Sequence, residues 1–320
     1  MKIVIGIFIF CIILFLYLHV TFQLRTSNDL DVYEIDANSK ERMEEVCDVR
    51  QPVMFDYSND IVKRDIKLEQ LVKRYPSFDV NMRSLTETKD DSLYSPVPLR
   101  SALQVVGKDT DKKYFSENNS LFLTDSGAVK SMNYHDEFLR PYMVSNCNYD
   151  VMFGSNGVTT PLRYEVNYRN YFYVTEGEIK IRMAPPKSSK YMMEHSDYIN
   201  YEFRSPINPW KVQDDYLLEF DKVKCVDVTV TPGKIIFIPA YWWYSIEFGK
   251  SSTIACFRYR TYMNNISIIP RICMYFFQQQ NLLHDGVKSR VGTEVSLESE
   301  ENQPEITEDD KKEEKNDTIL

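Results

Sequence analysis

From Ile3 to Phe22 the chain is apolar at nearly every position, reading IVIGIFIFCIILFLYLHVTF, whereas after Val151 apolar residues come in short aromatic and β-branched runs. The first run has the length that crosses a hydrocarbon core of roughly 30 Å and carries only His19 as a side chain that could be charged near neutral pH, so it predicts one transmembrane helix over residues 1–22. A cleaved signal peptide is the competing reading. The run is longer than the usual core of about 7–15 residues and no small-x-small site follows it, which favours an uncleaved anchor. Ser27 to Lys40 is polar and acidic, and residues 23–43 read as a stalk.

The body is expected over residues 44–283. Apolar residues at approximate helical spacing in Asp65 to Arg74 predict one short amphipathic helix. From Val151 the runs YFYVT, EIKIRM, VDVTVT, KIIFIP, WWYSIEF and TIACFRY, separated by turn residues, predict a strand-rich barrel or sandwich. Glu176-Gly177 and Thr231-Pro232-Gly233 supply two of those turns, the glycine being suited to positive φ. Ala184 to Phe220 carries four prolines and reads as an insertion over the barrel surface or mouth. Tyr262 to Leu283 is a closing helix that Pro270 should break or start. Residues 284–320, rich in Glu, Asp and Lys, read as an acidic disordered tail.

Two stretches resemble the JmjC and cupin-like dioxygenase family: GSNGVTTPLRYEVNYRNYFYVTEGEIKIRMAPP from Gly154 to Pro186, and TPGKIIFIPAYWWYSIEF from Thr231 to Phe248. In that family the first stretch has Thr-Pro-Leu followed by His-x-Asp, and the second has an apolar strand ending in Ile-Pro, then Trp-Trp-His. The resemblance implies a mainly β fold, a double-stranded β-helix (cupin or jelly-roll) barrel with flanking helices, preceded here by the transmembrane helix. It also implies an iron site held by two histidines and one carboxylate. Carried over by position, the first His falls on Arg163, the carboxylate on Glu165 and the distal His on Tyr244. The lysine that would hold the 2-oxoglutarate cosubstrate falls near Ile179, with Lys180 adjacent. Arginine cannot deprotonate to become a ligand, and its fixed charge repels a cation. No metal and no cofactor is therefore expected, and the chain reads as a non-catalytic relative. An active 2-oxoglutarate oxygenase, or another metal enzyme with an unfamiliar ligand set around Glu165, is the alternative. Similar cupin-like domains occur in large DNA viruses, and the richness in Asn, Lys, Ile and Tyr suits an AT-rich genome.

Arg163 and Glu165 stand two apart on a strand and share a face, so they are expected to pair in the barrel with Tyr244 capping them. Thr160, Asn170, Tyr171 and Trp242 are expected beside that pocket. Two readings of it compete: a satisfied polar core, and a pocket in which Arg163 recognises an anionic or sugar-like group. Trp242 and Trp243 alternate across a strand and predict one ring in the core and one outside. His195-Ser196-Asp197 and His135-Asp136-Glu137 mimic the metal motif but sit away from its place, and His284 lies at the edge of the tail.

Composition changes the picture in two places. A formal charge of -9, with basic residues scattered among acids, excludes a general nucleic-acid partner. Six cysteines lack any CxxC spacing, which removes the zinc reading and leaves the redox compartment open. Lys2 before the span and Arg25 after it lean to a cytosolic N-terminus with the body on the other side. Asn-x-Ser/Thr triplets at Asn118, Asn265 and Asn316 are compatible with that topology. The expected partners are the membrane, through the N-terminal helix, and an unknown protein or small anionic ligand.

Overall fold

The computed structural model of the protein describes residues 2–36, 38–85, 93–198 and 200–281. The chain opens with helix α1 (Lys2–Gln23), followed by strand β1 (Tyr33–Glu34), α2 (Lys40–Asp48), β2 (Val53–Asp56), α3 (Asp60–Asp65) and α4 (Leu68–Arg74). Next come β3 (Asp79–Ser84), β4 (Ser95–Pro98), α5 (Leu99–Lys108), β5 (Tyr114–Ser116), α6 (Ser120–Asp125) and α7 (Val129–Asn133). The strand-rich half holds β6 (Val144–Gly154), β7 (Arg163–Tyr164), β8 (Arg169–Glu176), β9 (Ile179–Ala184), β10 (His195–Asp197) and β11 (Glu202–Arg204). It ends with α8 (Leu217–Phe220), β12 (Val226–Val230), β13 (Lys234–Phe237), β14 (Trp243–Phe248), β15 (Thr253–Thr261) and α9 (Tyr262–Ser267).

A nine-stranded sheet runs β1-β2-β13-β8-β15-β6-β5-β3-β4, and a six-stranded sheet runs β10-β11-β7-β14-β9-β12. Mainly β sheet with flanking helices is thus the architecture, as expected. The period of two along each strand divides the core. Phe172, Val174, Ile236, Ile254 and Cys256 of the large sheet meet Ile179, Ile181, Tyr244, Ile246 and Phe248 of the small one. Alternate residues of the same strands, Tyr171, Tyr173, Phe237, Phe257 and Tyr259, form a second core with Met43, Cys47, Val62, Leu71, Leu123 and Met132 from the helices. A sheet covered on both faces is apolar at consecutive positions, which is why YFYVT reads as a solid run. The β8–β9 turn requires glycine: Gly177 has φ +65°, and a Cβ there would come 2.6 Å from Ser252 Cα.

Several expectations need correction. The helix foreseen over Asp65 to Arg74 is α4 and starts later, at Leu68: Asp65 closes the preceding α3, the carbonyl of Ile66 accepts from Thr175 Oγ1 (3.2 Å) and Lys67 is extended. The stalk over residues 23–43 is not free along its length. Gln51 Nε2 donates to Asp29 Oδ2 (2.9 Å), Tyr33 and Glu34 pair with Val53 and Met54 of β2, and Met43 is wholly buried. The proline-rich insertion adds β10 and β11 to the edge of the small sheet. Trp243 is as buried as Trp242, since that insertion covers it: its Nε1 donates to Ser189 Oγ at 2.8 Å. The closing helix breaks at Ile268 and the chain is helical again over 269–281, with Pro270 in the first turn, where a missing N–H is tolerated. The expected tail and His284 lie outside the described residues.

The helix α1 is long and apolar enough to cross a membrane and packs against α9.

Candidate functional site

At one end of the barrel the inner face turns from apolar to charged. Arg163 of β7 sits opposite Tyr244 of β14 in the ladder and is only 5% exposed. Its Nη1 donates to Glu117 Oε1 (3.0 Å) and Glu202 Oε1 (3.1 Å), and its Nη2 to Glu117 Oε2. Arg83 Nη1 donates to the same two carboxylates at 2.9 and 3.0 Å, and Tyr94 Oη donates to Glu117 at 3.2 Å. Two guanidinium groups and two carboxylates thus alternate in a buried cluster. Burial alone would raise the Glu117 pKa, but Arg163 and then Arg83 outweigh it and hold the carboxyl well below the usual glutamate range. Burial would likewise lower that of Arg163, and the facing Glu117 reverses it.

The expected Arg163–Glu165 pair does not form, because each finds other partners. Glu165 Oε1 accepts from Tyr244 Oη (3.2 Å) and lies 3.4 Å from Arg258 Nε, while Oε2 accepts from Asn167 Nδ2 (3.2 Å). Arg258 continues to Asp150 through Nη1 (3.2 Å). Burial, then the charge of Glu165, raises the Tyr244 pKa, so the phenol keeps its proton and serves as a donor.

A cavity of about 250 Å³ opens over these groups. Arg163, Glu165, Glu202, Arg258 and Arg260 line it, together with the amides of Asn118, Asn146, Asn148, Asn167 and Asn200. Arg260 donates through Nε to Asn167 Oδ1 (2.7 Å) and lies over the Tyr201 ring, 5.1 Å from its centre. The site offers hydrogen-bond donors and guanidinium groups at its mouth, with carboxylates already engaged behind them.

The other expected residues have different placements. Thr160 ties the loop before β7 to β14, its Oγ1 accepting from Ile246 N at 2.9 Å. Asn170 stands behind the cavity, accepting from Asn167 Nδ2 (3.1 Å) and donating to Ile238 O (3.2 Å). Tyr171 points to the helix-covered face, with its hydroxyl 3.5 Å from Cys47 Sγ, because one residue along a strand reverses the side. Trp242 is core, its Nε1 donating to Arg50 O at 3.2 Å. Ile179 is buried while Lys180 is exposed. His195 is exposed on β10, and His135 Nδ1 pairs with Ser131 O at 3.0 Å. Among the described residues no group of three or more His, Cys, Asp or Glu side chains is placed to hold a metal ion.

Sequence reasoning missed Glu117, Glu202, Arg83 and Arg258. Arg258 was within reach: it follows Cys256 by two in TIACFRY and so shares the inner face. Glu117 and Glu202 arrive from the turn before α6 and from the insertion, and nothing local marks them.

A family model described as a cupin-like domain matches residues 38–265, well over half of the chain. The chain belongs to the cupin-like domain family. HSPB1-associated protein 1 of Rattus norvegicus is 27% identical to it over 97 residues, covering 29% of this chain and 20% of that protein. The same-named protein of Homo sapiens is 26% identical over a stretch of the same extent. The matched part of this cupin-like chain therefore spans about a fifth of the length of these curated relatives.

Proposed function

We propose that this cupin-like protein is a single-pass membrane protein that acts by binding a small anionic or hydroxyl-rich ligand, or a partner displaying one, and not by iron and 2-oxoglutarate chemistry. The carrying observation is the seat of Arg163. A permanent cation, fixed between Glu117 and Glu202, stands where the family resemblance places a metal-ligating imidazole. The residues around it do not fit a site of two histidines and one carboxylate. Glu165 is held by Tyr244, Asn167 and Arg258, Tyr244 is a protonated donor, and near the position of the cosubstrate lysine Ile179 is buried while the adjacent Lys180 is exposed.

Binding is favoured by what remains at the mouth. Arg258 and Arg260 stand beside several asparagine amides, and this combination recognises carboxylate, phosphate or sugar oxygens. The cavity is a little smaller than the roughly 300–1,000 Å³ usual for drug-sized ligands, so a compact ligand or the tip of a larger one suits it. Hydropathy and exposure of α1 support the anchor, and the body is proposed to lie opposite a cytosolic N-terminus. The test is metal analysis of the full chain purified in detergent, alongside 2-oxoglutarate turnover. Substoichiometric iron and no turnover are expected, whereas stoichiometric iron with turnover would overturn the reading.

A further inference from the structure

Where α1 meets the body there is a buried cation without a counterion at hydrogen-bonding distance. Arg50 is 2% exposed, and among the described residues neither its Nε nor its Nη2 has a hydrogen-bond partner. The carboxylates nearby are taken by a second arginine, Arg169, whose Nη2 donates to Asp48 (2.6 Å) and Glu44 (3.0 Å). What Arg50 has instead is two rings: Tyr168, with its centre 4.6 Å from the guanidinium carbon, and Phe22 of α1 at 5.4 Å. Unpaired buried charge is costly and is seldom left so.

The backbone holds the side chain in place. Arg50 follows the end of α2 with φ 63°, a left-handed position that glycine usually fills. Its N–H donates to Cys47 O (3.1 Å) and its carbonyl accepts from Trp242 Nε1 (3.2 Å). Burial, and after it the charge of Arg169, lowers the pKa of Arg50 from the ordinary arginine value. Beside Phe22, Gln23 is also buried, and its Oε1 lacks a partner. A donor and an acceptor are therefore left open at one end of α1.

The depth of this spot points to what fills it. Phe22 stands in the last turn of a 22-residue helix. At a rise of 1.5 Å per residue it lies roughly 30 Å from the start, the thickness of a hydrocarbon core, so the guanidinium beside it is level with the headgroups of one leaflet. We propose that Arg50 is a docking point for the phosphate of an anionic phospholipid, reached when the Phe22 ring turns aside. The planar fork of a guanidinium matches phosphate oxygens, and the bilayer supplies them at high local concentration. The inference rests on α1 spanning a bilayer.

The test uses the full chain in an uncharged maltoside detergent. Thermal unfolding is followed while phosphatidylglycerol is titrated in, for the wild type, R50M and R50K. The wild-type midpoint is expected to rise with lipid, and the apparent lipid affinity to fall roughly tenfold or more in R50M and less in R50K, in line with loss of charge-assisted hydrogen bonds. R50M should unfold no earlier than the wild type in detergent alone, since it removes an unpaired cation. Should R50M fail to fold, R50K carries the comparison. An equal lipid response in the wild type and a folded variant, no response in the wild type, or the same response to inorganic phosphate would overturn the proposal. Carbonate extraction of membranes reads the anchor separately. Release of the wild type would remove the anchoring reading and the inference with it, whereas retention with an unchanged lipid response in R50M would remove the inference alone.

Discussion

Along β14, Phe248 and Ile246 sit opposite Ile179 and Ile181 with no exposed surface, yet Tyr244, two residues further toward the start of the strand, already borders Arg163 and Glu165. One end of the barrel interior is dry and apolar, and the other is a network of ions. The difference lies in how each end tolerates loss. Apolar packing stabilises through area, so its members contribute in parallel. In the ionic end each charge is desolvated and depends on its partner, so removing one member exposes the cost of the others. Both ends therefore contribute to stability, the apolar one through buried area and the ionic one through mutual pairing of its charges.

Substitutions at the two ends break or sharpen this contrast. Replacing Glu117 by Ala leaves Arg163 and Arg83 to share Glu202 in a buried site and should cost about 3–5 kcal/mol in denaturant unfolding of the detergent-solubilised chain. Phe248→Ala removes a ring stacked on Phe115 and should cost a similar ~3–5 kcal/mol through a cavity. Acid separates these two. Because the folded pKa of Glu117 is held below its ordinary value, its contribution is complete above the usual glutamate range and declines as pH falls through and below it. The Glu117→Ala deficit should therefore shrink on acidification while the Phe248→Ala deficit stays; parallel pH curves would refute the assignment. Tyr244→Phe deletes one hydrogen bond to Glu165 and should cost about 1 kcal/mol by the same unfolding measurement. Arg260→Ala, at the partly exposed mouth, should change stability by less than about 0.5 kcal/mol while weakening binding of a small anion in calorimetry.

The dry half was readable in the sequence and the ionic half only partly so. YFYVT, KIIFIP and WWYSIEF announce strands because β-branched and aromatic residues alternate or run solidly between turns; their number and spacing leave barrel and sandwich open, and the family resemblance decides for the barrel. Arg163, Glu165 and Tyr244 were found because a motif marks their positions. Their partners were not, since Glu117 lies 46 residues from Arg163 and Glu202 lies 39, distances that no local period encodes. The pairing of Arg163 with Glu165 failed for the same reason: sharing a face permits contact, and competition from better placed carboxylates decides it. Tyr171 was assigned to the wrong side of its strand by one position. The stalk was misread because composition shows polarity but not the two ladder positions by which Tyr33 and Glu34 join β2.

The most direct measurement is the melting temperature of the full chain in detergent, recorded anaerobically with and without Fe(II) and 2-oxoglutarate. Any species that binds only the folded state must raise that temperature as its concentration exceeds Kd. With Arg163 fixed between Glu117 and Glu202, iron is predicted to leave the midpoint unchanged and to add nothing to any rise that 2-oxoglutarate, itself a small dicarboxylate, produces alone. A saturable rise that needs both would contradict the account and return the chain to the oxygenases.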